Sequence, residues 1–412
     1  MIIAIGNIGS TSLKSKILDI NDKNEIRTLG EANLDKIKTE GESNFSYKIG
    51  NGESGKEVVN VMGFKNGIKL IFDWYIENGV ISQYKDIEAV GFKTILGEKN
   101  GANLLTPDIL DELKRFAFVA PVHNLPYLEA INEFKNVLGN DIPLVGVFEP
   151  SFHYSIPEYR KMIGFPWKWY EELGIKQNGF HGSSHRYMSA MIYKLEGTDK
   201  LKLITVHLGG SSSICAHKNG KSVDVSMKFS TDSGLLQGTR IGDCDGIGLL
   251  FAMKSLGLSI EEAQKEISGN AGLKGMAGIG TDDYREIYAA GLAGNERCSM
   301  TVSSFIDGIR KYIGAYSAIL GGADAIAFGG GIAEKGKDTR YRILENMEYM
   351  GIRIDTAKNE DFNGKQALIS SADSKVKLYI TPTNEEIVVA YFVKKVVETG
   401  RDLKPEEMTF RL

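Results

Sequence analysis

The chain has 412 residues, of which 25% are charged and 42% are hydrophobic, and its formal net charge is only −4. This length predicts two or three domains with sizeable cores, and the apolar content excludes disorder over most of the chain. The near balance of charge argues against a nucleic-acid-binding protein, because such proteins usually carry a basic stripe for phosphate contacts.

Strands and helices are predicted to alternate along the chain. Apolar periodicity predicts helices over residues 58–77, 107–118, 128–137, 302–320 and about 384–397. Short apolar runs predict strands over residues 3–5, 87–95, 143–148, 204–206 and 325–328. Ser259 with Glu262, and Thr383 with Glu386, have the spacing of capping boxes. The alternation predicts an α/β protein, and the irregular aromatic segment 149–179 is the predicted crossing between domains.

A short pattern occurs twice, 201 residues apart. Residues 3–5 and 9–13 form the first copy, and residues 204–206 and 210–214 form the second. Each copy reads as an apolar strand, a turn of glycine and hydroxyl residues, and a second strand. The second copy continues to Asn219-Gly220, a strong hairpin signal. The agreement is either chance or the mark of two related domains that each open with a β-hairpin.

The three cysteines, Cys215, Cys244 and Cys298, include no C-x-x-C pair. A disulfide framework and a cysteine zinc cluster are both poorly supported, so a reducing cytoplasm is the expected location. The N-terminus has no basic region or cleavable signal. Residues 318–333, the most apolar stretch, are too few to span a bilayer, so no membrane association is expected.

Three glycine-rich turns follow predicted strands, at residues 6–12, 209–213 and 329–331. Consecutive backbone N–H groups without side chains in the way can surround a phosphate. None of the turns matches a Walker loop or a Rossmann fingerprint. Each alone is best interpreted as a plain turn, but the three together favour nucleotide binding.

Two further short motifs carry polar side chains on glycine-containing backbone. His181 and His185 stand four apart and could bind zinc on a helix, but Gly182 places His181 in a loop, and a core histidine is the alternative. Arg240 lies between Gly238 and Gly242. An arginine there is placed to contact a phosphate or a carboxylate, with a surface salt bridge as the alternative.

Several motifs resemble those of the acetate kinase family, in family order and spacing over nearly the whole chain. They are Asn7-x-Gly9-Ser10-x-Ser12-Leu13-Lys14, Ala120–Asn124, Phe180–Tyr187, Asn219–Asp224, Gly238–Asp243, Asp283-x-Arg285, Gly331–Glu334 and Pro382–Glu386.

The resemblance implies an α/β fold of two duplicated domains of the sugar-kinase/actin-like (ribonuclease H-like) type, with a central interdomain cleft. We expect residues 1–150 with 387–412 to form the N-terminal domain and residues 151–386 the C-terminal, nucleotide-binding domain. It also implies reversible, in-line transfer of the ATP γ-phosphoryl group to a small carboxylate, acetate first, giving an acyl phosphate with Mg²⁺ or Mn²⁺. A homodimer is implied as well.

The resemblance further implies a role for particular residues. His181 and Arg240 would stabilise the transferring phosphoryl group, with Glu149 assisting near the metal and the acid. Asn7 and Glu385 would order the metal ion. The residues around the small acid would be Lys93, Val122, His123 and Phe180. Those contacting ATP would be Lys14, His207, Leu208, Gly209, Gly210, Ser211, Asp283, Tyr284, Arg285, Gly331, Ile332, Ala333, Glu334 and Lys335.

This chain departs from the family pattern at several of these positions. Lys93 replaces an arginine, Glu149 an aspartate, and Gly210 the asparagine of the family H-L-G-N-G run, in which Ser211 takes the place of the last glycine. Residues 229–233, Phe-Ser-Thr-Asp-Ser, stand where the family has F-T-P-L-E. Charge types at the phosphoryl centre are kept, so the departures bear on geometry and on the acid more than on the reaction class.

Two alternatives stay open from the sequence. The same chemistry could act on another short acid, such as propionate or butyrate. The chain could also be a catalytically weak nucleotide-binding or sensor protein that keeps the fold.

Overall fold

The computed structural model describes residues 1–9, 11–37, 42–50, 52–94, 96–119 and 121–412, with the backbone alone for 121–123. The chain forms two compact units. The first unit is Met1–Tyr154 with Asn384–Phe410, and the second is Ser155–Thr383 with Arg411–Leu412.

The strands are β1 Ile2–Ile8, β2 Ser12–Ile20, β3 Ile26–Asp35, β4 Ser43–Ile49, β5 Ser54–Val59, β6 Ala89–Thr94, β7 Ala102–Leu104, β8 Leu144–Phe148, β9 Lys202–Leu208, β10 Ser212–Lys218, β11 Lys221–Val225, β12 Ala325–Gly329, β13 Ala367–Leu368 and β14 Lys377–Ile380. The helices are α1 Gly63–Glu77, α2 Pro107–Arg115, α3 Pro121–Leu138, α4 Glu158–Lys161, α5 Trp167–Leu173, α6 Gly182–Glu196, α7 Gly246–Leu256, α8 Ile260–Lys265, α9 Gly272–Ala277, α10 Tyr284–Leu292, α11 Glu296–Leu320, α12 Gly331–Lys335, α13 Lys337–Leu344, α14 Thr356–Glu360 and α15 Glu385–Thr399.

The first unit is built on a mixed sheet between helices, with strand order β5-β4-β3-β2-β1-β6-β8-β7. Helices α1, α2 and α3 pack on one face, where the rings of Phe72, Phe92 and Phe134 meet edge to face at 5.1–5.8 Å. Helix α15 covers the other face. Each fully buried phenylalanine contributes about 2–3 kcal/mol of apolar burial, so this core holds the sheet rigidly.

Helix α15 approaches strand β6 closely because Gly91 has no side chain. A Cβ at Gly91 would lie 2.6 Å from Val393 and 3.0 Å from Val389, far inside contact distance. This approach places the first turn of α15 at the end of β6.

The second unit has a six-stranded mixed sheet with the order β11-β10-β9-β12-β14-β13. Helix α11 packs on one face through Phe305 and Ile309. Helix α6 packs on the other through Met188 and Ile192. The sheet is therefore again a layer between helices.

The two units repeat one arrangement of strands. In each, three antiparallel strands (β3-β2-β1, or β11-β10-β9) continue into parallel strands (β6-β8, or β12-β14). The hairpin after Asn219 also forms as predicted, since Asn219 and Gly220 have φ of 51° and 76°, the left-handed values that a type I′ turn needs. The interpretation of the 201-residue repeat as two related domains is confirmed.

Most predicted elements are present, with two corrections. Residues 58–77 were expected to be one helix, but α1 begins at Gly63 because the preceding segment pairs with β4 as strand β5. The predicted capping box of Thr383 and Glu386 is wrong, since Asn384 is the N-cap of α15 and no side chain caps it. The box of Ser259 and Glu262 is confirmed.

Among the described residues, every helix is too short or too polar to cross a bilayer.

Candidate active site

Lys93 and Glu385 form an ion pair in the first unit. Lys93 lies near the end of β6 and Glu385 is the first residue of α15, and Lys93 Nζ is 2.5 Å from Glu385 Oε2. Their side chains are only 17% and 15% exposed. The close approach of α15 at Gly91 is what brings the two residues together.

Glu149 and Tyr127 surround the same ammonium group. Glu149 directly follows β8, beside β6, and is 2% exposed. Burial alone would lower the pKa of Lys93, but the carboxylates of Glu385 and Glu149 outweigh it and raise that pKa above its ordinary value. Burial raises the pKa of the Tyr127 hydroxyl to about 12, so the phenol is neutral. When both carboxylates are ionised, one cation faces two anions, and the cluster has an excess of negative charge.

Asn7 and Lys14 are paired across strands β1 and β2. They line a cavity of about 220 Å³ together with Lys16 and Glu386. Gly6 in β1 is paired with Phe92 in β6. Asn7 follows Gly6 and Lys93 follows Phe92, so Asn7 and Lys93 occupy neighbouring positions of the sheet. The structure thus places these residues around the N-terminal turn of α15.

The predicted acid-binding residues divide between the two units. Val122 and His123 lie in the first turn of α3, and their side chains are outside the described part of the chain. Phe180 lies in the second unit, immediately before His181, and is 2% exposed.

His181 is the N-cap residue of helix α6 and has a strained backbone conformation. Its φ of 55° lies in the left-handed region, which residues other than glycine seldom adopt. Its Nδ1 lies 2.8 Å from Ser213 Oγ, and its ring centroid is 4.4 Å from that of His207. This contact turns Nδ1 of His181 towards Ser213 on strand β10.

Arg240 is held by three side chains of the second unit. Its Nη1 donates to Ser211 Oγ at 3.0 Å and to Gln237 Oε1 at 3.1 Å, and its Nε is 3.4 Å from Asp232 Oδ1. Burial lowers the pKa of Arg240 and Asp232 opposes that shift, but an arginine so placed stays charged at neutral pH. The guanidinium is therefore fixed in position before any ligand arrives.

Two of the glycine-rich turns lie side by side at the carboxyl ends of the two central strands of the second sheet. Parallel strands β9 and β12 end together, with Gly329 opposite His207. Gly330 has a φ of +84°, and a Cβ there would lie 2.5 Å from Leu208 O, so only glycine fits. The carboxyl ends of parallel strands are the usual place for ligands in α/β sheets. Residues 207–211 and 329–331 thus form a continuous backbone surface.

The other predicted nucleotide residues have clear structural contacts. Glu334 Oε1 accepts from the backbone N–H groups of Gly330 at 2.8 Å and Thr383 at 3.3 Å, so it braces the glycine turn. Ile332, Ala333 and Lys335 belong to the same short helix, α12, and Ala333 is buried. Asp283 caps α10 and pairs with the exposed Arg285. Tyr284 is buried, and its hydroxyl meets Thr339 at 3.0 Å.

Sequence reasoning missed Tyr127, Asp232 and Gln237 as members of these clusters. Tyr127 belongs to no motif. Gln237 is adjacent to the Gly238–Asp243 motif, and Asp232 lies in a stretch that departs from the family pattern. These positions could have marked both residues as candidate members of the site.

Glycine-rich backbone turns beside a fixed guanidinium and an imidazole are suited to phosphoryl transfer. The relatives of this chain show that it is a kinase. It belongs to the acetokinase family, which it matches over residues 1–391.

Individual relatives match over almost the whole chain. The acetate kinase of Clostridium novyi (strain NT) is 38% identical over 404 residues, which are 97% of this chain and 99% of the relative. The crystal structure of Porphyromonas gingivalis acetate kinase has a TM-score of 0.84 and 32% identity, covering 96% of this chain and 99% of that one. A propionate kinase from Francisella tularensis has a TM-score of 0.87 and 26% identity, with the same coverage. The predicted family and its α/β fold of two duplicated domains are confirmed.

Proposed function

We propose that the protein uses ATP to phosphorylate a short carboxylate, acetate first, and gives an acyl phosphate and ADP reversibly. The observation that carries this proposal is the family match over residues 1–391, joined to charged residues that the family pattern places at the phosphoryl centre. The buried clusters around Lys93 and Arg240 support it.

The proposed chemistry is a direct displacement. A carboxylate oxygen attacks the γ-phosphorus, the new O–P bond forms as the bond to the ADP oxygen breaks, and ADP leaves. Arg240 and His181 stabilise charge on the transferring group, which is the main need of such a transition state. Lys93 holds the acid and Glu149 orients Lys93. The turns at residues 207–211 and 329–331 receive the nucleotide.

A divalent cation, Mg²⁺ or Mn²⁺, fits the first-unit cluster by charge and by donor type. Two carboxylates there face one ammonium, and amide and carboxylate oxygens are the ligands that Mg²⁺ prefers. We assign Asn7 and Glu385 to the ion; a carboxylate has two oxygens, so Lys93 and a cation can both contact Glu385. When bound, the ion would neutralise charge on the phosphate oxygens.

We expect purified protein with ATP and Mg²⁺ to form an acyl phosphate that hydroxylamine traps as a hydroxamate. The assay is run on acetate, propionate, butyrate and a hydroxy acid, with EDTA as the metal-free arm, and the signal should vanish with EDTA and return with Mg²⁺. The acid with the highest kcat/KM identifies the substrate.

Calorimetry with MgATP separates the remaining outcomes. Nucleotide binding without product on any acid would favour the catalytically weak sensor. Binding of no nucleotide at all would overturn the kinase proposal.

We further propose a homodimer, supported by an exposed apolar face on helix α7. Ile247, Leu250 and Phe251 are 71%, 61% and 71% exposed, and α7 has no buried residue among those described. Contiguous exposed apolar surface of this kind usually marks an interface.

Phe251→Glu should convert the dimer to a monomer, because a buried unpaired charge is costly. Light scattering coupled to size exclusion measures the mass. Tyr349→Glu is the matched control, since Tyr349 is 84% exposed in the same unit but outside this helix. A dimeric Phe251→Glu protein would place the interface elsewhere.

A further inference from the structure

Three histidines of the second unit are joined by two bridging hydroxyl groups. Ser213 Oγ lies 2.8 Å from both His181 Nδ1 and His185 Nε2. Thr205 Oγ1 lies 2.7 Å from both His185 Nδ1 and His217 Nε2. The result is a continuous hydrogen-bonded chain, which we call the histidine relay: His181, Ser213, His185, Thr205 and His217.

The relay is buried beyond its first member. Ser213, His185, Thr205 and His217 are each 0% exposed. The sheet fixes them, because Thr205 lies on β9, Ser213 and His217 on β10, and His185 on the first turns of α6. A buried polar network of this kind has few arrangements that satisfy all its members.

A metal ion is a less suitable explanation of this cluster. Cys215 lies with His185 and His217 in a group whose possible ligand atoms are within 4.8 Å of one another. Both ring nitrogens of His185 already meet hydroxyl oxygens at hydrogen-bond distance, however, so ligation would break one of these bonds.

Counting protons shows that the relay has two ordered states when its histidines are neutral. Each hydroxyl has one proton, and a neutral imidazole carries one proton on either Nδ1 or Nε2. If His185 carries it on Nε2, it donates to Ser213, and Ser213 donates to His181 Nδ1. Thr205 then donates to His185 Nδ1, and His217 donates from Nε2. The other state reverses every bond and puts the proton of His181 on Nδ1.

We propose that the histidine relay holds His181 as the Nε2–H tautomer, with Thr205 and His217 as positioning residues for it. This inference rests on the proposed function, in which His181 meets the transferring phosphoryl group. Phosphoryl oxygens accept hydrogen bonds, so only an Nε2–H group can donate to them while Nδ1 faces Ser213. When His181 carries its proton on Nε2, the hydrogen bonds of the relay require that His185 and His217 also carry theirs on Nε2.

The direct test is the tautomer of each imidazole in the wild-type protein, read by long-range ¹H–¹⁵N correlation spectroscopy. The chain has only six histidines, so single substitutions can assign them. We expect Nε2–H on His181, His185 and His217. Nδ1–H on His181 would overturn the proposal, whatever the activity of the enzyme.

Thr205→Val tests the coupling over distance, because it removes one hydroxyl at nearly constant volume and does not touch His181. We expect His181 to become a mixture of tautomers and kcat to fall by roughly tenfold, the worth of about one hydrogen bond, with the KM for ATP little changed. Thr205→Ser should restore both the single tautomer of His181 and the wild-type kcat. Cys215→Ala is the control, since it alters the same buried cluster and leaves the relay intact.

An unchanged His181 tautomer in Thr205→Val would contradict the coupling. If instead the wild-type protein phosphorylates no acid, the proposed function fails while the spectra still decide whether the relay exists. Should Thr205→Val not fold, the wild-type tautomers alone carry the decision.

Discussion

Arg240→Ala should lower kcat by about 10²–10³, with a smaller effect on the KM of the acid. The expected loss is large because Ser211, Gln237 and Asp232 hold the guanidinium in one place, so no reorganisation is needed when charge develops on the phosphoryl group. Steady-state kinetics with saturating MgATP measure it. Arg240→Lys should recover only part of the rate, because lysine keeps the charge but loses the planar fork.

A second arginine of the same unit provides the matched control. Arg353 is about half exposed and pairs with Asp373, and neither residue belongs to a predicted nucleotide-binding motif. Arg353→Ala should leave kcat within twofold of wild type, since exposed ion pairs contribute little. Thermal unfolding of both variants shows whether either has lost its fold. An unchanged kcat in a folded Arg240→Ala enzyme would make this arginine structural only.

The second-unit cluster was largely predictable because its members stand in short local motifs. The glycine turns follow strands, the carboxyl ends of neighbouring parallel strands lie side by side in a sheet, and Arg240 stands in the short Gly238–Asp243 motif. The departures from the family pattern mark Ser211 and Asp232 as unusual, but the contacts of these two residues with Arg240 were not predictable. They join separate loops at two positions where this chain departs from the family pattern.

The first-unit cluster depends on contacts between distant parts of the chain. Lys93 and Glu385 are 292 residues apart, and they meet because α15 packs on β6 at Gly91. No local pattern shows such a contact; the resemblance supplied the residues but not their pairing. The histidine relay escaped prediction for the same reason, since its hydroxyl groups come from β9 and β10 and join two histidines at the start of α6 to one on β10.

Lys93→Ala should reduce kcat/KM for the acid by at least about 10², and it should also destabilise the first unit by on the order of 3 kcal/mol. The reason for both effects is that Glu385 and Glu149 would face each other without the ammonium between them. Lys93→Met keeps most of the volume and removes only the charge, so a similar loss in that variant assigns the effect to charge. Kinetics over acetate, propionate, butyrate and a hydroxy acid, with thermal unfolding alongside, measure both quantities.

Lys394→Met separates catalysis from stability, because Lys394 is another buried lysine of the first unit. It is 4% exposed, and its Nζ donates to Asn21 O and Asn24 Oδ1, contacts that serve the fold alone. This control should unfold at a lower temperature and keep its kcat/KM.

Lys93→Arg should keep or raise kcat/KM for acetate, since an arginine can contact two oxygens of the acid at once. If Lys93→Arg instead impairs the best acid of the panel while acetate stays poor in every variant, the pocket has formed around lysine for a different acid. If Lys93→Ala is as active as wild type on every acid, Lys93 does not belong to the substrate site, and its pairing with Glu385 serves only to anchor helix α15.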